Sequence, residues 1–376
     1  MTPARLLALC SALLLAACAA PPQPPLLVRI GLAGPMTGAI GHLGLDNERG
    51  ARLAIEELNQ RGVRIGGRPA TFELVSRDDR ADPREGVLVA QQLVEAKVQG
   101  VVGHLNSGTS IPAAKIYAEA GLPTITPSAT NPRLTRLGLR TAFRVVVDDN
   151  AAGRLVGRYA AQSQFKAVAV VDDRTAYGQG VADAFVAGLR ESDAAPRNRF
   201  FVHDRATVFT TLAQQIVELQ ADAVFFGGMD AQAAGLLEAL AERGWQGRLL
   251  GGDGICTSQL AKVRLASQVL CAEPGGLIED NGAAMQALRQ RFRTRFGSDV
   301  LVYAPQTYDA VNLLADAMQR AGSVEPAQYL PVLAATRDYR GVTGVIGFDA
   351  KGDLLAPAVP LYTYRDGKRV FAQVLR

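Results

Sequence analysis

Residues 101–132 read VVGHLNSGTSIPAAKIYAEAGLPTITPSATNP. Val101–Val102 and Pro123–Thr124–Ile125 each end a short apolar run. Each run opens into a turn rich in hydroxyls, Asn106–Ser110 and then Thr126–Thr130. Between them, Ile111 to Ala120 reads as one helix. The unit is strand, polar turn, helix, strand, polar turn, and in a parallel sheet both turns lie at the carboxyl edge, where ligands bind. Neither turn holds a His, Cys, Asp or Glu that could supply acid–base or metal chemistry. Hydroxyls and backbone N–H groups suit holding a small polar ligand, above all a carboxylate, better than transforming one.

The same rhythm runs outward in both directions. Strand-like runs at Val28–Ala33, Ala70–Asp78 and Val98–Gly103 alternate with helical patterns at Gly50–Arg61 and Asp82–Lys97, the latter with Asp82 placed to cap it and Pro83 at its first position. From about Asp149 the pattern restarts. Helices are expected at Asn150–Gln162, Gly178–Glu191, Phe209–Leu219 and Ala231–Arg243, and strands at Ala167–Asp172, Asn198–His203, Ala223–Gly227 and Arg248–Gly251. Further helices follow at Gly282–Phe296 and Tyr308–Ala321, then a turn, Gly347–Leu354, feeding a last strand, Ala358–Arg365. Such alternation predicts an α/β chain with parallel sheets and crossover helices. No internal sequence repeat is evident. Two α/β lobes leave a cleft between them, and domain boundaries are natural places for ligand sites.

Bulk composition narrows the function classes. A length of 376 residues suits about two domains. The net charge of +4 is small and no basic stripe interleaves with aromatics, which argues against a nucleic-acid partner. An aromatic content of 6% weighs against a carbohydrate-stacking surface. At the N-terminus, Arg5 and the apolar Leu6–Leu14 form a secretory signal too short to span a bilayer. It ends in Leu15–Ala16–Ala17–Cys18, which resembles the lipobox of bacterial lipoproteins, with Cys18 as the lipidated residue; the alternative is an ordinary signal peptide with a chance cysteine. Ala19–Pro25 then reads as a stiff tether. Exported chains live where disulfides persist, so Cys256 and Cys271 are a candidate disulfide around a short helix, with two buried thiols as the alternative. Two sulfurs and the scattered His42, His104 and His203 do not make a metal site.

Several segments now become recognisable together: IGLAGPMTGAIGHLG with GARLAIEELNQRGVRIGGR, VSRDDRADP, residues 101–132, VVDDRTAYGQGVADAF, VFFGGMDAQAAGLLEALAERGW and GFDAKGDL. In this order they resemble the periplasmic leucine/isoleucine/valine-binding proteins, from about Val28 to Tyr364. The resemblance implies a type I periplasmic-binding-protein fold, two Rossmann-like lobes joined by a three-segment hinge and closing on a ligand. Lobe one is expected at 28–148 plus 277–343, lobe two at 149–276 plus 344–376, after a signal at 1–17 and an anchor and tether at 18–27. It implies delivery of an amino acid or related carboxylate to the membrane subunits of an ABC importer, by a monomer with no cofactor and no catalytic residue, attached to the membrane only by its lipid. A sensor on the same scaffold is the neighbouring reading.

The resemblance also implies a residue set. Ser107 and Thr130, with backbone groups at Gly108, Ser128 and Ala129, would hold the ligand carboxylate and part of the ammonium. The Ser107 hydroxyl could equally cap the helix that follows, a role compatible with binding an anion. Ser128, where the family often has Ala, adds a hydroxyl. Tyr177 matches a cleft tyrosine and Asp253, in Gly251–Gly254, the ammonium carboxylate that is usually Glu. Three positions depart from leucine binders: Asp253 is a methylene short, Met229 replaces a Tyr, and Leu43 replaces a pocket aromatic, while Tyr303 stands at a Phe position on the other wall. The carboxylate half of the pattern is therefore kept better than the ammonium half, and an amide or a carboxylate lacking the amino group competes with an α-amino acid. A dinucleotide enzyme is disfavoured: Gly31, Gly34 and Gly38 do not fit G-x-G-x-x-G, and Pro35 removes an N–H that a phosphate needs.

Overall fold

A computed structural model of the chain describes residues 24–273, 275, 282–355 and 358–376. The expected signal, Cys18 and most of the tether lie outside the described residues. So does the expected lobe boundary at 276/277.

The first sheet is built from β1 (Leu26–Gly34), β2 (Arg64–Ile65), β3 (Arg68–Asp78), β4 (Gly100–Gly103), β5 (Thr124–Thr126) and β6 (Ala142–Arg144), in the order β2-β3-β1-β4-β5-β6. All neighbours are parallel except the β2–β3 hairpin. β1 already begins at Leu26, inside the span expected for the tether. Helices α1 (Gly41–Gln60), α2 (Pro83–Glu95) and α3 (Ser107–Glu119) cross between these strands. Pro83 opens α2 where its missing N–H costs nothing, and the Asp82 side chain accepts a 2.8 Å hydrogen bond from the Arg84 amide.

The second sheet uses β7 (Val168–Asp172), β8 (Asn198–Phe201), β9 (Ala223–Gly227), β10 (Arg248–Gly251) and β11 (Val269–Ala272), all parallel. Helices α4 (Asp149–Gln162), α5 (Ala176–Arg190), α6 (Thr210–Glu218) and α7 (Asp230–Ala241) cover it. β4, β7 and β9 are buried along their whole length, as strands sandwiched between helix layers must be.

The chain then returns to lobe one for α8 (Gly282–Phe296), α9 (Ala304–Ala321), α10 (Pro326–Ala334) and a hairpin of β12 (Tyr339–Gly341) with β13 (Gly344–Ile346). α10 was not anticipated from sequence. α9 crosses α1 closely at Gly50, where a Cβ would lie 2.3 Å from the Ala304 carbonyl oxygen; any larger residue would push the helices apart. Finally β14 (Val359–Arg365) and β15 (Lys368–Leu375) add antiparallel strands to the second sheet, in the order β15-β14-β11-β10-β9-β7-β8. The expected last strand is thus one arm of a hairpin.

One expected boundary moves. Position 343/344 lies inside the β12–β13 hairpin, where Gly341 opposes Gly344. Ile346 and Phe348 join the core of lobe one, Phe348 against Phe143 at 4.9 Å between ring centroids, and Asp353 pairs with Arg144. Residues 344–355 therefore stay with lobe one, and only 358–376 pass to lobe two.

Cys256 and Cys271, both fully buried, form a disulfide across a separation of 15 residues. The intervening chain makes two 3₁₀ turns, Ser258–Lys262 and Ala266–Gln268, in place of the expected helix. Closing a loop of this length stabilises by about 3 kcal/mol through the unfolded state. Urea unfolding of the Cys256→Ala, Cys271→Ala double variant should show a loss of that order.

Candidate ligand-binding site

Five strand ends converge on the gap between the lobes. β4 and β5 deliver Ser107 and Ser128–Thr130 from lobe one; β7, β9 and β10 deliver Tyr177, Met229 and Asp253 from lobe two. All carboxyl edges face the same cleft, the arrangement that parallel topology predicts.

α3 begins at Ser107, four residues before the expected start, and its N-cap is Asn106. Ser107 is thus the first helical residue. Its hydroxyl accepts a 3.2 Å hydrogen bond from the Asn131 amide and ties the two polar turns together. The Asn106 side chain does not cap the helix, and the first-turn amides of Ser107 and Gly108 have no acceptor within the helix. An uncapped helix start of this kind attracts an anion. Thr126 organises the second turn. Its hydroxyl donates to the His104 carbonyl and receives the amides of Ala129 at 2.8 Å and Ser128 at 3.3 Å. The Ser128 hydroxyl donates to the Leu105 carbonyl at 3.0 Å, so its proton is engaged within lobe one. The Thr130 hydroxyl, by contrast, is buried and makes no hydrogen bond of good geometry, and the charged group it faces is the Asp149 carboxylate.

Asp253 faces this edge. It is buried, and both its oxygens are occupied: Tyr177 donates to Oδ1 at 2.9 Å and Tyr303, from lobe one, donates to Oδ2 at 2.7 Å. The Tyr177 hydroxyl also accepts the Gly254 amide at 2.9 Å. Glycine at 254 permits that approach, since a Cβ there would lie 2.6 Å from the Gly228 carbonyl oxygen. Tyr303 is therefore a hydrogen-bonding residue rather than only an apolar wall. Burial raises the Asp253 pKa, while the Tyr303 and Tyr177 hydroxyls pull it down.

A second carboxylate, Asp149, was read from sequence only as a helix boundary. It is the first residue of α4, buried, and its Oδ2 has no hydrogen-bond partner. Its amide donates to the Thr130 carbonyl at 2.9 Å. Burial and then the charge of Asp253 push its pKa well above the usual carboxylate range, with the Thr130 hydroxyl acting the other way. A buried carboxylate whose proton affinity is raised by a second one makes a cation-attracting edge, and a nearby positive charge would relieve it.

Leu43, Leu105 and Tyr303 of lobe one join Tyr177 and Met229 of lobe two in one buried apolar cluster running across the cleft. It supplies a wall for an apolar ligand body. Two buried side chains hold the frame. Arg144 donates to the carbonyls of Ala129 at 2.9 Å and Asn131 at 3.0 Å and pairs with Asp353 at 2.7 Å. Asp46 accepts the amides of Leu301, Val302, Tyr303 and Ala304, fixing the chain that presents Tyr303. Sequence reading missed both. Among the described residues no group of three His, Cys, Asp or Glu is placed to hold a metal ion.

The comparisons agree with this architecture. The chain is 32% identical over 342 residues to the Leu/Ile/Val-binding protein homolog 1 of Brucella abortus, covering 90% of this chain and 91% of that one. It is 31% identical over 332 residues to the leucine-, isoleucine-, valine-, threonine-, and alanine-binding protein of Pseudomonas aeruginosa, covering 87% of each. The solved structure of the branched-chain amino acid transporter substrate binding protein LivJ from Streptococcus pneumoniae, in complex with isoleucine, matches with a TM-score of 0.83 and 25% identity over 93% of this chain and 99% of that one. A family profile described as periplasmic binding protein matches residues 27–368. With that match spanning both sheets and the cleft they enclose, the chain belongs to the periplasmic binding protein family.

Proposed function

We propose that this chain is an extracytoplasmic receptor that captures a small aliphatic α-amino acid between its lobes and passes it to the membrane subunits of an ABC importer. It would act as a monomer without catalysis, tethered through a lipid on Cys18, which lies outside the described residues. The observation that carries the ligand reading is the polarity of the cleft. Uncapped amides at Ser107 and Gly108 form an anion-attracting edge. The paired carboxylates Asp149 and Asp253 form a cation-attracting one. A zwitterion matches both. The Leu43, Met229 and Tyr303 wall suits an aliphatic side chain. The relatives named for leucine, isoleucine and valine support the same class.

A second reading draws on Asp253 itself. Both its oxygens already accept a tyrosine hydroxyl, which satisfies part of the cation site internally and favours an amide or a carboxylate without an amino group. A thermal-shift panel separates the two, because a ligand that binds only the folded state raises the melting temperature by mass action. L-leucine, L-isoleucine and L-valine should raise it; 4-methylpentanoate, leucine's deaminated analogue, should not. A shift with 4-methylpentanoate and none with any α-amino acid would overturn the first reading in favour of the second.

A further inference from the structure

We propose that His42 and Asp230 form a latch between the lobes at the edge of the cleft, and that this latch sets how tightly the closed protein retains its ligand. The inference builds on the reading of the cleft as a ligand trap. His42 lies in the first turn of α1 in lobe one and Asp230 is the first residue of α7 in lobe two, 188 residues away along the chain. Their Nε2 and Oδ2 atoms are 2.8 Å apart. The imidazole is about a quarter exposed, at 26%, whereas the Asp230 side chain is fully buried.

The two sides of the pair are built differently. Asp230 is anchored within its own lobe: Oδ2 accepts the Thr257 hydroxyl at 2.6 Å and Oδ1 accepts the Ala231 amide at 2.8 Å. Those bonds survive when the lobes part. The imidazole contact does not, so it is made on closing and broken on opening. It is also next to the pocket, because the adjoining residues Leu43 and Met229 are both in the apolar cluster that spans the cleft. Other polar links between the lobes among the described residues include Tyr303 to Asp253 and the Asn131 side chain to the Ala176 carbonyl at 2.6 Å. Of these links only His42 to Asp230 includes an imidazole, the side chain whose charge ordinarily changes near neutrality.

The charges around His42 all favour its protonated form. The Asp230 hydrogen bond raises its pKa most, partial burial opposes this, and the charges of Asp230 and of Asp46, one turn along α1, add to the rise, as does the Ala39 carbonyl. Tyr303 and Tyr364, the phenols that sense the Asp230 charge, have pKa values raised by burial and stay neutral. In the open state the ring loses Asp230 and returns towards its ordinary value of about 6.5. The folded, closed pKa is the higher one. The latch is therefore fully present below about pH 6.5 and is lost as pH rises through the closed-state value.

Calorimetric titration of L-leucine into the chain between pH 5.5 and 8.5 tests this. The unaltered chain should bind about three- to tenfold more tightly than His42→Gln at pH 5.5, the scale of a partly buried ion pair, and this advantage should disappear by pH 8.5. Asp149 and Asp253, which must be ionised to hold an ammonium, act with the opposite sign and do so equally in both proteins, so the difference between the two curves isolates His42. The same pH dependence in His42→Gln as in the unaltered chain would overturn the latch. If L-leucine binds neither protein, the amino-acid reading falls instead. The latch is then decided by small-angle scattering of the ligand-free chain. The radius of gyration should grow between pH 5.5 and 8.5 in the unaltered chain and stay constant in His42→Gln; equal behaviour of the two refutes it.

Discussion

Asp253→Asn should weaken L-leucine binding by roughly a hundredfold or more, while leaving the ligand-free protein as stable as before or more so. The loss follows from chemistry. Removing one charge of a buried, hydrogen-bonded pair costs about 2–5 kcal/mol, and each 1.4 kcal/mol is a factor of ten. An ammonium held between Asp149 and Asp253 would keep only one anion. The gain in the ligand-free state follows from the electrostatics of the two buried carboxylates. Asp253 is pushed towards its protonated form by burial, and its charge raises Asp149 in turn. Both folded-state pKa values are raised, so the stability linked to these groups is present at low pH and is lost as pH rises through their folded values. An amide at 253 removes that penalty from one site and eases it at the other. It can still accept the Tyr303 hydroxyl through Oδ1, although its NH₂ faces the Tyr177 hydroxyl that now donates, so that phenol must turn. Calorimetry at pH 7 with L-leucine and with 4-methylpentanoate reads the first effect; melting curves of the ligand-free protein at pH 5 and 7.5 read the second, the variant being less stabilised by acid. Unchanged L-leucine affinity would remove Asp253 from the ammonium site.

This trade between stability and binding explains which parts of the site could be read from sequence. The hydroxyl turns of 101–132 sit at the ends of their own strands, and local alternation is enough to place them at a sheet edge. Tyr177, Met229 and Asp253 are implied by the family resemblance alone; each follows a short strand of the second sheet, but strand ends by themselves single out no such residue. The start of α3 was missed because Ser107, Gly108 and Thr109 are poor helix formers, and here packing between the turns overrides propensity. Asp149 looked like an ordinary residue at a helix start. Its role depends on Asp253, a neighbour in space only. Asp46 and the amides it accepts are separated by 255–258 residues, and His42 and Asp230 by 188. No local pattern signals such pairs, because side-chain type and spacing along one element say nothing about what the opposite lobe brings. The Ser128 hydroxyl shows the inverse: a nearby carbonyl, that of Leu105, takes up its proton, which no sequence pattern signals.

Arg144→Met should destabilise the protein by about 3 kcal/mol and disable the carboxylate edge even in the molecules that remain folded. The Arg144 side chain is fully buried at the end of β6, and its guanidinium reaches in two directions. One nitrogen holds the Ala129 and Asn131 carbonyls, the flanks of Thr130; the others hold Thr135 and, at 3.0 and 2.7 Å, Asp353. Methionine fills similar volume but takes the guanidinium away from the Ala129 and Asn131 carbonyls and from Asp353, which keeps only the Thr135 hydroxyl at 2.9 Å, and breaking a buried ion pair by removing one partner costs about 3–5 kcal/mol. The Asp353 side chain keeps 17% of its exposure, so water can reach it and the lower figure is the better one. Lysine keeps the charge but cannot span two carbonyls and a carboxylate at once, so Arg144→Lys should recover only part of the loss. Asp353→Asn keeps an acceptor for the guanidinium and should cost less than either. Urea unfolding gives this ranking, and L-leucine affinity under native conditions separates loss of fold from loss of the turn. If Arg144→Met unfolds within 1 kcal/mol of the unaltered chain and binds L-leucine equally well, then the 129–131 turn holds its shape through Thr126 and Ser107 alone.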